Sequence, residues 1–325
     1  PLQICEYAKT LHHLKDIKPD RIDPAELIKP YEEIALKARD AGEDVLRTIE
    51  PFAGIPWMEA ILGCEINSSS TSMTSEPIPH VLERIEELTV TPDNPWLKKL
   101  LEFYDVILEY KGGAYLPGQP LLRGPSDMVS AVCGATEMIM NLYDQPDKMS
   151  RLFQTVTDAM ITVIRALLKK TPQLNNGHLL GTYHLWYPGT VAAIQEDQSA
   201  LLSPNLFRQF VLPCDERLCR EFDFTFIHLH GSCRHLFDFW IEVENLNVMQ
   251  VNRDEGQPFE NAMQMFEYVQ GRQKPMMVWG RFSEDEWHQL LSRLSPQGLC
   301  LYLTMNTKEE CMKFLSLAKE YYAKD

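Results

Sequence analysis

Apolar positions follow two rhythms along this chain, and the change falls near Gly112. Before it, spacing is helical. Asp23 reads as a cap, Pro24 takes the first position, and Leu27, Tyr31, Ile34 and Ala38 follow at helical intervals, predicting a helix over 24–50. The same spacing resumes over 78–88 and 95–110. Ahead of these, Ser68-Ser-Ser-Thr-Ser-Met-Thr-Ser75 reads as a polar surface loop. After Gly112, short apolar runs alternate with amphipathic stretches of helical length. The runs predict strands near 114–122, 178–184, 191–196, 224–229, 246–251, 275–280 and 299–304. The stretches predict helices near 126–142, 146–170, 204–221, 234–243, 258–271, 284–293 and 308–323. Ser203-Pro204, Gln257-Pro258 and Ser283-Glu-Asp-Glu286 supply start signals for three of them.

One apolar run per strand, each followed by a helix, implies a parallel sheet covered by helices. No Gly-x-Gly-x-x-Gly turn follows a strand, so a dinucleotide-binding sheet loses to a closed eight-stranded barrel. The predicted fold is α/β, a (β/α)8 TIM barrel with additional N-terminal helices. It forms one domain over 1–325. Residues 1–110 supply a helical extension and the first barrel elements, and 111–325 the main βα repeats. A barrel keeps its chemistry at the carboxyl ends of its strands.

Phe226-Ile-His-Leu-His-Gly-Ser-Cys233 ends one such strand. Residues two apart in an extended chain point the same way, so His228 and His230 project side by side. Gly231 breaks the strand and Cys233 sits in the following turn. Imidazole and thiolate are zinc-type ligands, and three at one strand end form a candidate metal site. The plainer reading is that one His satisfies a backbone carbonyl while the other lines a pocket.

Gln195-Glu-Asp197 ends the neighbouring predicted strand and offers a hard ligand or a general base. Two adjacent side chains cannot both face inward from an extended backbone. Glu196 is therefore assigned to the pocket, with Asp197 behind it; the alternative is a solvated loop capping the helix at 204. Tyr183-His184-Leu-Trp186-Tyr187 reads as a pocket wall of His184, Trp186 and Tyr187, or as plain core. Trp279-Gly280-Arg281 ends another strand. There Arg281 can clamp a carboxylate, or make only a surface ion pair. Thr304 and Asn306 read as rim residues. Asp127 begins a helix, as a substrate or acid–base group or as an N-terminal charge only. Cys300, inside a strand, reads as buried and inert.

Bulk numbers narrow the partners. The 325 residues are 45% hydrophobic and 24% charged, a normal folded composition, and the net charge is −15. That charge argues against nucleic acid and against an anionic membrane surface. It also disfavours a polyanionic ligand unless arginines cluster. No apolar run is long enough to span a bilayer, and no secretory leader pattern is present. Eight scattered cysteines suit free thiols in a reducing, cytoplasmic setting.

Several segments together resemble the uroporphyrinogen decarboxylase superfamily, which includes zinc-dependent corrinoid and coenzyme M methyltransferases. They are Gly54-Ile-Pro-Trp57-Met-Glu-Ala-Ile-Leu-Gly63-Cys, Gly124-Pro-Ser-Asp-Met-Val-Ser, Tyr143-Asp-Gln-Pro-Asp-Lys, Leu202-Ser-Pro-Asn-Leu-Phe-Arg-Gln-Phe-Val-Leu-Pro213 and His228-Leu-His-Gly231. The resemblance covers most of the chain from about residue 50 and implies a (β/α)8 barrel. The decarboxylases' Arg-Gln-Ala-Gly-Arg motif is missing here. Their Gly-Pro-Phe-Thr-x-x-x-Tyr element survives as Gly124-Pro-Ser-Asp127-Met-Val-Ser-Ala131, without the Tyr. An acidic chain lacking those cations would bury the substrate's carboxylates unpaired, which disfavours porphyrin decarboxylation.

In the related methyltransferases a His-x-Cys pair and a Cys on the last strand hold zinc. Here His228 matches the first ligand, His230 replaces the Cys, and the last strand reads Leu303-Thr-Met-Asn306. The resemblance thus implies metal-assisted methyl transfer between a small methylated compound and a corrinoid (cobalamin-type) protein, with zinc on His228, His230 and Glu196. A metal-free lyase or decarboxylase on a smaller acid is one alternative, using Asp197 or Asp127 with Arg281. A non-catalytic tetrapyrrole- or corrinoid-binding barrel is another. A homodimer is compatible with each.

Overall fold

Eleven short strands are present among the residues described by this computed structural model, 9–38, 42–110 and 115–322. In chain order they are β1 (Thr48–Ile49), β2 (Glu65–Ser68), β3 (Met73–Glu76), β4 (Leu116–Pro117), β5 (Gly177–Leu180) and β6 (Leu185–Pro188). They continue as β7 (Val191–Gln195), β8 (Phe224–Leu229), β9 (Leu246–Asn252), β10 (Met276–Gly280) and β11 (Leu299–Leu303). Strands β7 to β11 form one parallel sheet in which each strand lies beside the next in sequence. Helices connect them on the pattern expected for α/β chains: Leu212–Glu221, Phe237–Glu242, Phe259–Gly271 and Glu284–Arg293, with Lys308–Tyr322 last. Strand β1 pairs with β4 in parallel, and Gln119 bridges Leu180 of β5 in the same sense. No helix among the described residues is long and apolar enough to cross a membrane.

Period-two alternation sorts the parallel strands into two buried faces. Ala192, Ile194, Ile227, Leu229, Met276 and Val278 join the large core under the helices. Their neighbours Val191, Ala193, Phe226 and Met277 join Leu180 and Tyr183 in a second, smaller cluster, with Trp279 and Tyr302 packed on it. In β7 and β10 both faces are apolar because both are covered. His228 shares the parity of Phe226, so its ring continues the smaller cluster at the carboxyl end of β8.

Several predicted elements change. The helix expected over 24–50 is Pro24–Leu27 and Lys29–Ala38 only, and Thr48–Ile49 is a strand. Gly42, at φ +81°, has already left helical geometry. The serine-rich loop is the turn of the antiparallel β2–β3 hairpin, with Ser68 opposite Met73. Ser69 Oγ accepts from the amides of Thr71 and Ser72 at 3.0 and 2.9 Å, closing that turn locally. Residues 78–88 form two 3₁₀ turns. The long strand expected over 114–122 shrinks to β4 plus the Gln119 bridge, since Pro117 and Pro120 have no N–H for a ladder; residues 111–114 lie outside the described set. The helix expected over 126–142 breaks at Gly134 (φ +89°) into Pro125–Cys133 and Ala135–Asp144. Strand 178–184 becomes the β5–β6 hairpin, whose second strand turns back.

Candidate metal centre

His228 and His230 face each other at the end of β8. Their Nε2 atoms are 3.1 Å apart and their rings stand at 90°. Each ring is held from behind. His228 Nδ1–H donates to Gln250 Oε1, directly across the ladder in β9. His230 Nδ1–H donates to Asp254 Oδ1, itself fixed by Asn252 Nδ2 at 2.6 Å. With the protons on Nδ1, both Nε2 lone pairs point at one spot. Burial also lowers the proton affinity of His228, with His230 adding in the same direction. Two lone pairs at this range repel unless a cation sits between them. Two imidazole nitrogens on one tetrahedral zinc stand about 3.4 Å apart, from Zn–N bonds of about 2.05 Å.

Asp197 completes the group. The ligand atoms of Asp197, His228 and His230 all lie within 4.8 Å of one another. Asp197 Oδ1 is buried, lacks a hydrogen-bond donor and is 3.8 Å from His230 Nε2. Its Oδ2 accepts from Gln195 Nε2, which fixes the carboxylate plane. His228 is 5% exposed while His230 and Asp197 keep side-chain exposures of 31% and 29%, so the cluster opens to solvent on one side. An orphaned carboxylate oxygen beside two opposed imidazole nitrogens is a donor set suited to zinc.

The expected order of the two acids is reversed. Glu196 was assigned to the metal and Asp197 behind it, but Glu196 is fully buried away from the pair. Its carboxyl accepts from Ser126 N at 3.2 Å and Ser199 Oγ at 3.0 Å, with the Asp215 carboxyl close enough to act on it. The backbone leaves the ladder after Gln195, with Glu196 at φ −125°, ψ 47°. That turn aims residue 196 at the helix Pro125–Cys133 and residue 197 at the histidines. Burial raises the proton affinity of Glu196, and it pushes Asp215 up to about 7. One proton shared by this pair removes an otherwise uncompensated buried charge. Cys233 is likewise not among the gathered ligands. It is buried, its thiol donates to the Glu196 carbonyl at 3.5 Å, and burial pushes it up to about 12.

Asp127 does reach the neighbourhood. It is 5% exposed, its Oδ1 accepts from Gln198 N at 2.8 Å, and burial with the nearby Asp197 charge pushes it up to about 7. Two unpredicted residues join it: Arg123, whose Nε donates to Glu59 Oε1 at 3.1 Å and whose Nη1 is 3.8 Å from Asp127 Oδ2. An acid inside Trp57–Leu62, a helix in which every residue is buried, was the signal for Glu59. Gln250, an amide inside an apolar strand, was the signal for the group that orients His228.

The remaining predicted residues divide by height. Trp279 lies 5.8 Å from the His228 ring, donates to Thr304 Oγ1 at 3.3 Å, and meets Tyr183 and Tyr302 edge-on at 6.0 and 5.7 Å. Arg281 is exposed at the rim and donates to Asn306 at 2.7 Å. Trp186 and Tyr187 are corrected: they sit on the returning strand β6, opposite Leu179 and His178. Tyr187 packs on Phe224, four residues and about 13 Å below His228 along β8. Trp186 is 38% exposed, its Nε1 donating to Leu174 O. Neither walls the cluster. His184 lies at φ +54° with Nδ1 2.8 Å from Thr48 Oγ1, and burial pushes it down to about 4. Cys300 is half-buried, and burial pushes its thiol up to about 11.

Glu50, just beyond β1, is 4% exposed and held by Thr182 Oγ1 at 3.0 Å. Burial pushes it up to about 8 from a normal 4.5. The folded chain therefore holds this proton more tightly than the unfolded chain. That contribution to stability is complete below about pH 4.5 and is lost as pH rises toward 8. Glu50→Gln is expected to flatten the decline of Tm between pH 5 and 8. Each tenfold change in proton affinity is worth about 1.4 kcal/mol, so the gain at pH 8 is about 2–4 kcal/mol by thermal unfolding. An unchanged slope would mean that Glu50 is already ionised in the fold.

No protein-family model matches this chain, and no curated protein does. Among solved structures it is similar to a methyltransferase from Methanosarcina mazei, with a TM-score of 0.63 and 18% identity. The match covers 94% of this chain and 86% of that one. At that identity the likeness establishes the fold.

Proposed function

We propose that this chain is a methyltransferase of the uroporphyrinogen decarboxylase-like superfamily, moving a methyl group between a small methylated compound and a corrinoid on a partner protein. The observation that carries this reading is the meeting of two imidazole lone pairs with the unpaired Asp197 oxygen at the carboxyl end of a parallel strand. The fold shared with the archaeal methyltransferase supports it. In this reading β1, β4, β5 and β7 to β11 close into a (β/α)8 barrel. The hydrogen bonds Thr48 Oγ1 to Gly181 O and Tyr302 Oη to Thr182 O, both 3.0 Å, support closure by tying β1 and β11 to the end of β5.

His228, His230 and Asp197 would hold zinc. Bound there, zinc would supply a Lewis acid that polarises the heteroatom losing its methyl. Imidazole and carboxylate donors in place of thiolates leave the ion more electrophilic, which suits an ether or alcohol oxygen. Gln250 and Asp254 keep the Nε2 lone pairs aimed forward by holding the Nδ1 protons. Trp279 and Tyr302 wall the approach, and Arg281 with Asn306 orients the incoming molecule at the rim.

Metal analysis tests this directly. Purified protein is expected to carry about one zinc per chain, and the His228→Ala His230→Ala variant less than a tenth of that. Equally low metal in both proteins would remove the metal-assisted reading.

A further inference from the structure

Beside the cluster lies a set of charges that metal binding does not use. Glu59 and Asp127 are 3% and 5% exposed, on the helices Trp57–Leu62 and Pro125–Cys133. Each has one satisfied oxygen: Glu59 Oε1 takes Arg123 Nε, and Asp127 Oδ1 takes the Gln198 amide. Each also has one buried oxygen, Glu59 Oε2 and Asp127 Oδ2, with no hydrogen-bond donor. A buried oxygen left without a donor is costly, and more so when charged. Arg123 is the one cation within ion-pair reach of either carboxylate among the described residues, and its Nη1 at 3.8 Å is too far to satisfy Asp127 Oδ2. Two buried carboxyl groups thus face one guanidinium.

We infer that Glu59 and Asp127 form a subsite for a primary ammonium group on the ligand whose methylated end meets His228 and His230. Three N–H donors on a positive nitrogen match two unfilled carboxyl oxygens, Glu59 Oε2 and Asp127 Oδ2. A metal ion fits worse. Oxygens around one hard ion lie within about 5 Å of each other, yet Glu59, Asp127 and Asp197 do not gather that tightly among the described residues. Arg123 orients the two carboxylates. Its side chain, 43% exposed, marks the open side of the subsite. Asp127 accepts from the amide of Gln198, the residue after Asp197, which puts the subsite next to the cluster. The ligand class is a short amine carrying a methylated oxygen. Methyl transfer enters only at the far end of this ligand.

Calorimetric titration of metal-stripped protein with 2-methoxyethylamine, against the uncharged 2-methoxyethanol, tests the subsite without any turnover. The amine is expected to bind at least tenfold more tightly. Asp127→Asn and Glu59→Gln are each expected to reduce that preference at least fivefold while leaving the affinity for the alcohol unchanged. Asp127→Asn is also expected to keep or raise Tm, since it replaces a buried carboxyl oxygen that has no donor; a purely structural carboxylate would lower it. If one variant fails to fold, the other carries the comparison. Equal binding of the two probes, or displacement of the amine by calcium at equal concentration, overturns the ammonium subsite and leaves the zinc measurement untouched. Absence of zinc with selective amine binding overturns the metal-assisted reading and retains the subsite.

Discussion

Asp197→Ala is expected to lower zinc affinity by more than about 100-fold, beyond the 10–100-fold typical of groups that only orient a ligand. On the proposed function, methyl transfer should fall by about 10³ or more with it. The reason is geometric. Asp197 Oδ1 is buried, without a donor, 3.8 Å from His230 Nε2, and no other carboxylate among the described residues gathers with both imidazoles. Glu196→Gln is the informative contrast. Its side chain is bound up with Ser126, Ser199 and Asp215, so metal content should stay near that of the parent. Metal titration of both variants decides between them. Retained zinc in Asp197→Ala with loss in Glu196→Gln would reverse the assignment.

A second large effect is expected at Gly124. A Cβ built there would stand 2.2 Å from Glu196 Oε1 and 2.3 Å from the Gln195 carbonyl. The Gly124 backbone, φ −108°, is ordinary, so the demand is for space. Gln195 belongs to the β7–β8 ladder and Glu196 to a buried hydrogen-bonded pair, so neither yields cheaply. Gly124→Ala should destabilise the fold by about 3 kcal/mol or more. It should also displace Asp197, one residue beyond the contact. Thermal unfolding with zinc titration on the same variant checks both. A variant with parental Tm would show that the close approach of helix and strand end is relaxed in solution.

Legibility in the sequence followed the range of the interactions. Apolar runs at 191–196, 224–229, 246–251, 275–280 and 299–304 marked β7 to β11 closely, because strands covered on both faces need continuous apolar chains. His228 and His230 were legible as a side-by-side pair, since strand period and Gly231 are local facts. The shortened helix after Pro24, the β2–β3 hairpin and the return of β6 were less legible. Each depends on a turn whose hydrogen bonds outweigh short-range periodicity, as Ser69 does for its neighbours.

What the chain determined by itself is therefore the α/β alternation and the imidazole pair at one strand's end. Which acid joins that pair was decided only in three dimensions. The backbone turn at Glu196 sends adjacent carboxylates to opposite sides, one into a buried hydrogen-bonded site and one to the imidazole pair. Tertiary contact likewise brought Glu59, Arg123 and Asp127 together from distant segments, because a charge buried without full compensation has meaning only against its surroundings.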